Sequence, residues 1–257
     1  MPFTLCHPAI VLPRHRYARS VTSLPALVIG SMAPDFVYFF SFGVSGSFSH
    51  SGLGIVLYCV PAGAAVYLLY YAVIRQPFLA WLPSAISARM AWNAGWPLHD
   101  AQAVWTMLVS LAIGAATHIS WDAFTHDDTA VVRHFGVLRS LIHVGHSELP
   151  VFKVLQHLST FGGFIVIATV MLVWFSRNKS TAPFPRPLSA ALRLCACVAV
   201  SVAGIVGGVS GLLSQPGTSA EHGLFNAVVT GMATATLAIV FLCLAWKILV
   251  LRKAKNR

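Results

Sequence analysis

Charged side chains are scarce in this sequence. Asp, Glu, Lys and Arg make up 9% of its 257 residues, against about 25% in a typical soluble domain. Because 57% of the residues are apolar, the chain has too few charges to cover a water-facing surface, and lipid is its expected solvent. The composition therefore excludes an ordinary soluble domain and indicates an integral membrane protein.

Several other signals are missing. The five cysteines form no C-x-x-C pair, so we expect small apolar residues inside helices rather than a disulfide framework. The first ten residues have neither a basic stretch nor a long apolar stretch, so we expect no cleavable signal peptide. We find no internal repeat, no low-complexity tract and no motif that supplies a catalytic nucleophile.

The basic residues lie in short clusters between apolar runs. In a soluble protein the net charge of +10 would suggest nucleic acid, but no basic stretch carries interleaved aromatic residues. The clusters instead follow the positive-inside rule and match anionic lipid headgroups. We therefore predict the lipid bilayer as a partner and no nucleic acid.

Six apolar runs approach the roughly 20 residues needed to cross a bilayer. The predicted fold class is an all-α polytopic membrane bundle of about six transmembrane helices, with a short N-terminal half-helix at 7–18. The six runs are 24–42, interrupted by Pro34 and Asp35, and then 53–73, 103–124, 154–175, 190–213 and 224–249.

The polar residues divide the chain into two parts. Residues 1–175 form a predicted bundle that carries nearly all the acidic residues and histidines. Residues 176–257 add two further transmembrane helices, which we expect to act as scaffold or oligomer surface, and a basic tail. The proline-rich stretch Thr181–Pro187 is the predicted connection. Counting Lys and Arg in the loops predicts a multi-pass protein of the cell membrane with both termini in the cytoplasm.

One local motif could carry chemistry. His118, Asp122 and His126 are each four residues apart, so a continuous helix places them on one face. A carboxylate deep in a membrane costs at least about 2.5–3.5 kcal/mol and needs a partner. The motif fits two ligands of a divalent ion, and it fits equally a histidine–aspartate pair that satisfies itself.

Three more ligand-type residues are expected on the same side of the membrane. If residues 7–18 and 24–35 form an antiparallel hairpin, His7 and Asp35 meet at its open end, in the outer half of the membrane. His50 lies just before the second long run. The number of metal-type ligands predicted at one level favours a metal site.

The remaining polar residues are weaker candidates. Those after the third run are possible further ligands, bases or phosphate contacts, although exposed loop positions are the favoured interpretation. They are Asp127, Asp128, His134, His143, His146, Glu148, Lys153, Gln156 and His157. We interpret His15, His99 and His222 as interfacial residues.

The order of these segments resembles a known family. Met1–Pro8, Gly30–Asp35, Phe48–Ser51, His118–His126 and Leu155–His157 resemble a bacterial membrane family catalogued as domain of unknown function 4184. The resemblance covers about 1–175.

That family is similar to membrane-bound predicted metal-dependent hydrolases and, more distantly, to the zinc-dependent phospholipase C helical fold. The resemblance implies that His7, Asp35, His50, His118 and Asp122 are metal ligands. The predicted hydrolases usually carry a second acidic residue and a histidine directly after the aspartate, where this chain has Phe36-Val37-Tyr38.

The leading interpretation is a metal-dependent hydrolase of the cell membrane whose metal site lies near the outer face. A divalent metal, zinc in the first instance, would activate water toward an ester or phosphoester of a lipid or envelope metabolite. Asp122 or His126 would move the proton. Two alternatives stay open: a proton or metal-ion transporter or relay, and a structural or assembly protein in which the cluster holds helices together.

Overall fold

The chain is almost entirely helical in the part that the computed structural model describes. The described residues are 3–15, 18, 20–40, 43–90, 95–145, 147–179, 188–214 and 219–255. Their strands form one two-stranded antiparallel hairpin, β1 (Leu141–Val144) and β2 (Ser147–Pro150). The all-α class is confirmed.

The helices differ greatly in length. Short ones come first: α1 (Pro8–His15), α2 (Leu24–Gly30), α3 (Phe36–Phe39) and α4 (Gly46–Ser49), with 3-10 turns at Thr4–Cys6 and Ala33–Asp35. They are followed by α5 (Gly52–Trp81), α6 (Ser84–Ser87), α7 (Ala101–Asp122), α8 (Ala130–His134), α9 (Gly136–Arg139), α10 (Val151–Arg177), α11 (Ala190–Leu213) and α12 (Ala220–Lys255). Two stretches of α5, Ile55–Cys59 and Tyr70–Ile74, are π-helical.

Five of these helices are long and apolar enough to cross a membrane: α5, α7, α10, α11 and the stretch His222–Val250 of α12. This makes the chain a multi-pass integral membrane protein. The remaining predicted run, 24–42, differs from the prediction in its described residues. It forms α2, a 3-10 turn and α3 instead of one long helix. Pro34 lies at the break, where a residue without an N–H cannot continue the helical hydrogen bonds.

The predicted N-terminal half-helix is present as α1, which packs against α2 and α10. Its neighbour α2 lies against α7 at a very close approach. A Cβ on Gly30 would collide with the backbone of Leu111, and one on Gly114 would lie 2.5 Å from the carbonyl oxygen of Leu27. Helices approach this closely in membranes where both carry small residues. This contact sets the distance between Ser31 and the end of α7.

Two compact units make up the chain. The first comprises 1–37, 43–67 and 98–177, and the second comprises 38–42, 68–97 and 178–257. In the second unit α11 packs on α12, and Thr234 Oγ1 donates to the carbonyl oxygen of Ala203 at 2.8 Å. The predicted connection Thr181–Pro187 lies outside the described residues.

Candidate metal centre

Five ligand-type side chains meet inside the first unit. His7 follows the first 3-10 turn, Asp35 ends the second, His50 follows α4, and His118 and Asp122 occupy the last turns of α7. The side chains of His7, Asp35 and His118 are at most 1% exposed, and that of Asp122 is 7% exposed. Residues distant in sequence are thus brought to one buried point; we call these five the His/Asp cluster.

The two carboxylates lie between the imidazoles. Asp122 Oδ2 is 3.3 Å from His118 Nε2 and 3.7 Å from His50 Nε2, and Asp122 Oδ1 is 3.6 Å from His7 Nε2. Asp35 Oδ1 is 3.4 Å from His50 Nε2 and 3.6 Å from His118 Nε2. All these separations exceed the 2.7–3.2 Å range typical of N–H···O hydrogen bonds.

The separations suit ligands that share an ion. Two ligand atoms about 2.0–2.1 Å from a tetrahedral zinc ion are roughly 3.3 Å apart. His7, Asp35 and His118 each offer one ligand atom within 4.8 Å of the others, and so do His50, His118 and Asp122. The donor set of histidine nitrogens and aspartate oxygens is one that zinc and similar ions accept.

Backbone carbonyls fix the tautomers of two histidines. His118 Nδ1 lies 2.8 Å from the carbonyl oxygen of Ser31, and His50 Nδ1 lies 2.9 Å from that of Gly46. Since a carbonyl oxygen can only accept, each Nδ1 carries a proton, and in the neutral ring Nε2 is the nitrogen whose lone pair is available to a metal ion. A metal-binding histidine commonly donates its other N–H in this way.

Asp35 is held by a residue that sequence reasoning missed. Thr4 Oγ1 donates a 2.6 Å hydrogen bond to Asp35 Oδ2, and both side chains are buried. Thr4 sits on the turn that precedes His7, and this turn is anchored by the hydrogen bond from Phe3 N to Thr160 Oγ1 at 3.2 Å. Two sequence signals could have pointed to Thr4: its place three residues before a candidate ligand, and its position in Met1–Pro8, one of the segments that carry the family resemblance.

Several buried polar atoms in the cluster have no hydrogen-bond partner in the described residues: both ring nitrogens of His7, Asp35 Oδ1, His118 Nε2 and Asp122 Oδ1. The rings of His7 and His118 are stacked, with centroids 3.6 Å apart and 18° between their planes. Two protonated imidazoles would repel each other strongly at this distance. Unpartnered buried polar atoms are costly, and a shared cation would satisfy the lone pairs among them, one nitrogen of the neutral His7 ring included.

His126 is not on the helix face predicted for it. Helix α7 ends at Asp122, with Ala123 as its C-cap, so His126 lies beyond the helix. His126 Nδ1 lies 3.0 Å from the carbonyl oxygen of Asp122. Nδ1 also lies 3.8 Å from Asp122 Oδ2, and the side chain is 23% exposed. Burial lowers the pKa of His126 below its usual value, which favours the neutral ring.

The other candidate residues lie apart from the cluster or are not described. Most are exposed: His99, Asp127, Asp128, His134, His143, Glu148, His157 and His222. His143 pairs with Glu148 at 3.4 Å on the hairpin, and His99 pairs with Asp100 at 3.3 Å. Gln156 is buried and Lys153 is half-buried. His146 and the side chain of His15 lie outside the described part. All five cysteines are free thiols, as expected.

Comparison with known proteins places the chain in a family. A model described as Domain of unknown function (DUF4184) matches residues 1–244, so the chain belongs to this family, as its motifs indicated. The match extends past the 1–175 resemblance into the last long helix. No curated protein and no solved structure shows significant similarity.

Proposed function

We propose that this protein binds one divalent metal ion, zinc in the first instance, in the His/Asp cluster and uses it to hydrolyse an ester or phosphoester of a lipid or envelope metabolite. The observation that carries the proposal is the meeting of three histidines and two aspartates, from four separate segments, at one buried point. Five polar atoms converge there without a hydrogen-bond partner among the residues that the structure describes: His7 Nδ1 and Nε2, Asp35 Oδ1, His118 Nε2 and Asp122 Oδ1.

Charge supports one ion. Asp35 and Asp122 together bring two negative charges into a buried site, and their partners in the described residues are histidines and Thr4, with no lysine or arginine. Buried carboxylates need compensation. One divalent cation among neutral imidazoles balances the two charges, whereas two such ions would leave an excess of positive charge.

Hydrolysis joins the oxygen of water to the acyl carbon or phosphorus and breaks the bond to the alcohol oxygen. A divalent ion in the cluster would supply Lewis-acid activation. We assign to His126, next to Asp122, acceptance of the proton lost by water and its return to the departing alcohol. The Asp122 carboxylate would orient the His126 ring through its contact with Nδ1.

Access to the cluster is proposed from one side. His50 and His126 are 20% and 23% exposed, whereas the other four side chains around the site are nearly or fully buried. A substrate would therefore approach past His50 and His126. Helix α7 ends at the His/Asp cluster, and a connection joins this end to the start of α10. The other end of α10 carries Arg177. By the positive-inside rule we assign the Arg177 end to the cytoplasm and the cluster to the outer half of the membrane.

The deciding experiment is elemental mass spectrometry of the detergent-purified protein. We expect close to one zinc or manganese ion per chain in the wild type and loss of the ion in Asp122→Ala and His118→Ala. The matched controls are Asp128→Ala and His143→Ala, which remove the same residue types from exposed positions and should keep the ion.

The outcomes separate the proposed functions. A metal-loaded wild type whose cluster variants lose the ion justifies a screen of lipid phosphoesters, with hydrolysis lost in the same variants. A folded wild type that takes up no ion after supplementation contradicts the metal centre and the hydrolase with it. The buried histidines and aspartates would then act as a proton relay or as a contact between helices.

A further inference from the structure

Large apolar side chains are exposed along the connection between α7 and α10. Five of them are 39–67% exposed, and we call them the interfacial surface: Phe124, Phe135, Val137, Leu141 and Ile142. They lie on consecutive elements of one short stretch, from the turn after Asp122 through α8 and α9 to β1. Exposed large apolar side chains concentrated in one segment point to a contact with a membrane or a protein.

The connection is folded, so this exposure is not that of a loose loop. Val132 of α8 and Leu138 of α9 are buried. Thr129 caps α8 through Val132 N at 3.3 Å, and its Oγ1 lies 2.7 Å from the carbonyl oxygen of Ala123. The hairpin register pairs Ile142 with Leu149. A defined fold thus buries one set of apolar side chains and turns another outward.

The topology of the chain indicates what covers the interfacial surface. The connection begins where α7 ends and finishes where α10 starts, and both helices are long and apolar enough to cross the membrane. The ends of two consecutive spans lie at the same membrane surface. A connection of fewer than thirty residues, much of it folded into short helices and a hairpin, therefore stays within or next to the headgroup layer, where apolar side chains partition favourably.

We propose that the interfacial surface inserts into the headgroup layer of the bilayer at the end of α7 that carries the His/Asp cluster. The occupant is the bilayer in which the protein is embedded. Exposed charges of both signs alternate with these apolar residues along the chain: Asp127, Asp128, Arg133 and Arg139. This mixture suits a zwitterionic or mixed headgroup layer and does not require an anionic lipid.

Insertion has a consequence for the substrate class, which rests on the proposed function. His126 is two residues from Phe124 and forms the more exposed edge of the site. The edge of the site would then lie at the depth where the ester and phosphoester bonds of membrane lipids are found. A bilayer amphiphile would reach it by lateral diffusion, without leaving the membrane.

Depth-dependent fluorescence quenching tests the insertion without any assay of metal or hydrolysis. A cysteine is introduced at Val137 or Leu141 in the full chain, with Cys195 and Cys197, the two exposed native thiols, replaced by alanine. Each variant is labelled with a small environment-sensitive fluorophore and reconstituted in phosphatidylethanolamine–phosphatidylglycerol vesicles. Brominated lipids probe the bilayer and iodide probes the water.

Two references calibrate the measurement. A label at Ile165, near the middle of α10 and 65% exposed, reports the hydrocarbon region, and the same fluorophore coupled to free cysteine in the buffer reports water. We expect the labels at Val137 and Leu141 to be quenched by brominated lipid and shielded from iodide, between the two references. Labels that iodide quenches as strongly as the fluorophore in the buffer, and that brominated lipid does not quench, would overturn the proposal and indicate a face that binds a protein or a second copy of the chain.

The proposal and the metal centre can fail separately. Quenching by brominated lipid in a protein that holds no metal would keep the interfacial surface and remove only the substrate argument. A metal-loaded protein with water-exposed labels would keep the metal centre and reject insertion.

Discussion

Thr4 and Asp35 are separated by 31 residues in the chain and joined by a 2.6 Å hydrogen bond in the fold. The bond uses Asp35 Oδ2 and leaves Oδ1 to face His50 and His118. The hydroxyl thus selects which carboxylate oxygen is offered to the site. Partners that orient metal ligands in this way commonly contribute to metal affinity.

Thr4→Val should weaken zinc binding by about 10–100-fold, the usual effect of losing a group that orients a ligand. Valine nearly matches threonine in shape, so a loss of zinc affinity measures the contribution of the Thr4 hydroxyl. Affinity is measured by competition with a chelator of known zinc affinity. Thr4→Ser, which restores the hydroxyl, should return most of the affinity. Equal affinities in the wild type and Thr4→Val would show that Asp35 needs no such support.

Zinc should stabilise the wild-type protein against heat. A ligand that binds only the folded state adds about 2.7 kcal/mol at a concentration one hundred times its dissociation constant. We expect a higher melting temperature with zinc than with chelator in detergent, and little difference in Asp35→Asn. His99→Ala removes an exposed histidine outside the cluster and should respond as the wild type does. A wild type indifferent to zinc would contradict the metal centre.

Gly114→Ala should destabilise the first unit by about 2 kcal/mol or more, as overpacking does. Its new Cβ would meet the backbone of Leu27 in α2 and that of Ser31 directly after α2, and the carbonyl oxygen of Ser31 accepts the bond from His118. Gly162→Ala is the matched control, since it lies in a long helix with nothing within 4 Å of the added carbon. Thermal unfolding followed by intrinsic fluorescence compares the two. Equal melting temperatures would mean that α2 can move away from α7.

His126→Gln should lower hydrolysis by about 100–10,000-fold, the range for a general acid–base group, while metal content stays at the wild-type level. Glutamine keeps a polar side chain of similar reach but cannot carry a proton between water and alcohol. The rate is measured on the lipid ester found by screening, and the metal by elemental analysis of the same sample. Simultaneous loss of the ion would make His126 a ligand instead.

Composition and hydropathy predicted the class and most of the architecture. Lipid is the only solvent that suits a chain with so few charges, and the run 190–213 coincides with α11 because apolar length is a local property. The run 24–42 was harder to interpret: Pro34 interrupts an apolar stretch, and only packing decides whether such a stretch bends within one helix or separates into several.

The candidate ligands could be named from the sequence because a carboxylate inside an apolar run is costly and needs a partner, and because the segments that carry these residues resemble the family. His118 and Asp122 were also linked by helical spacing. Their meeting with His7, Asp35 and His50 follows from tertiary contacts, above all the glycine-to-backbone approach of α2 and α7. The role of Thr4 has the same origin, since a hydroxyl becomes a partner only when a distant carboxylate is brought within hydrogen-bond distance. Sequence thus determined which groups the membrane protein must bury together, and the tertiary structure alone decided their distances, because these depend on helix packing that no local pattern encodes.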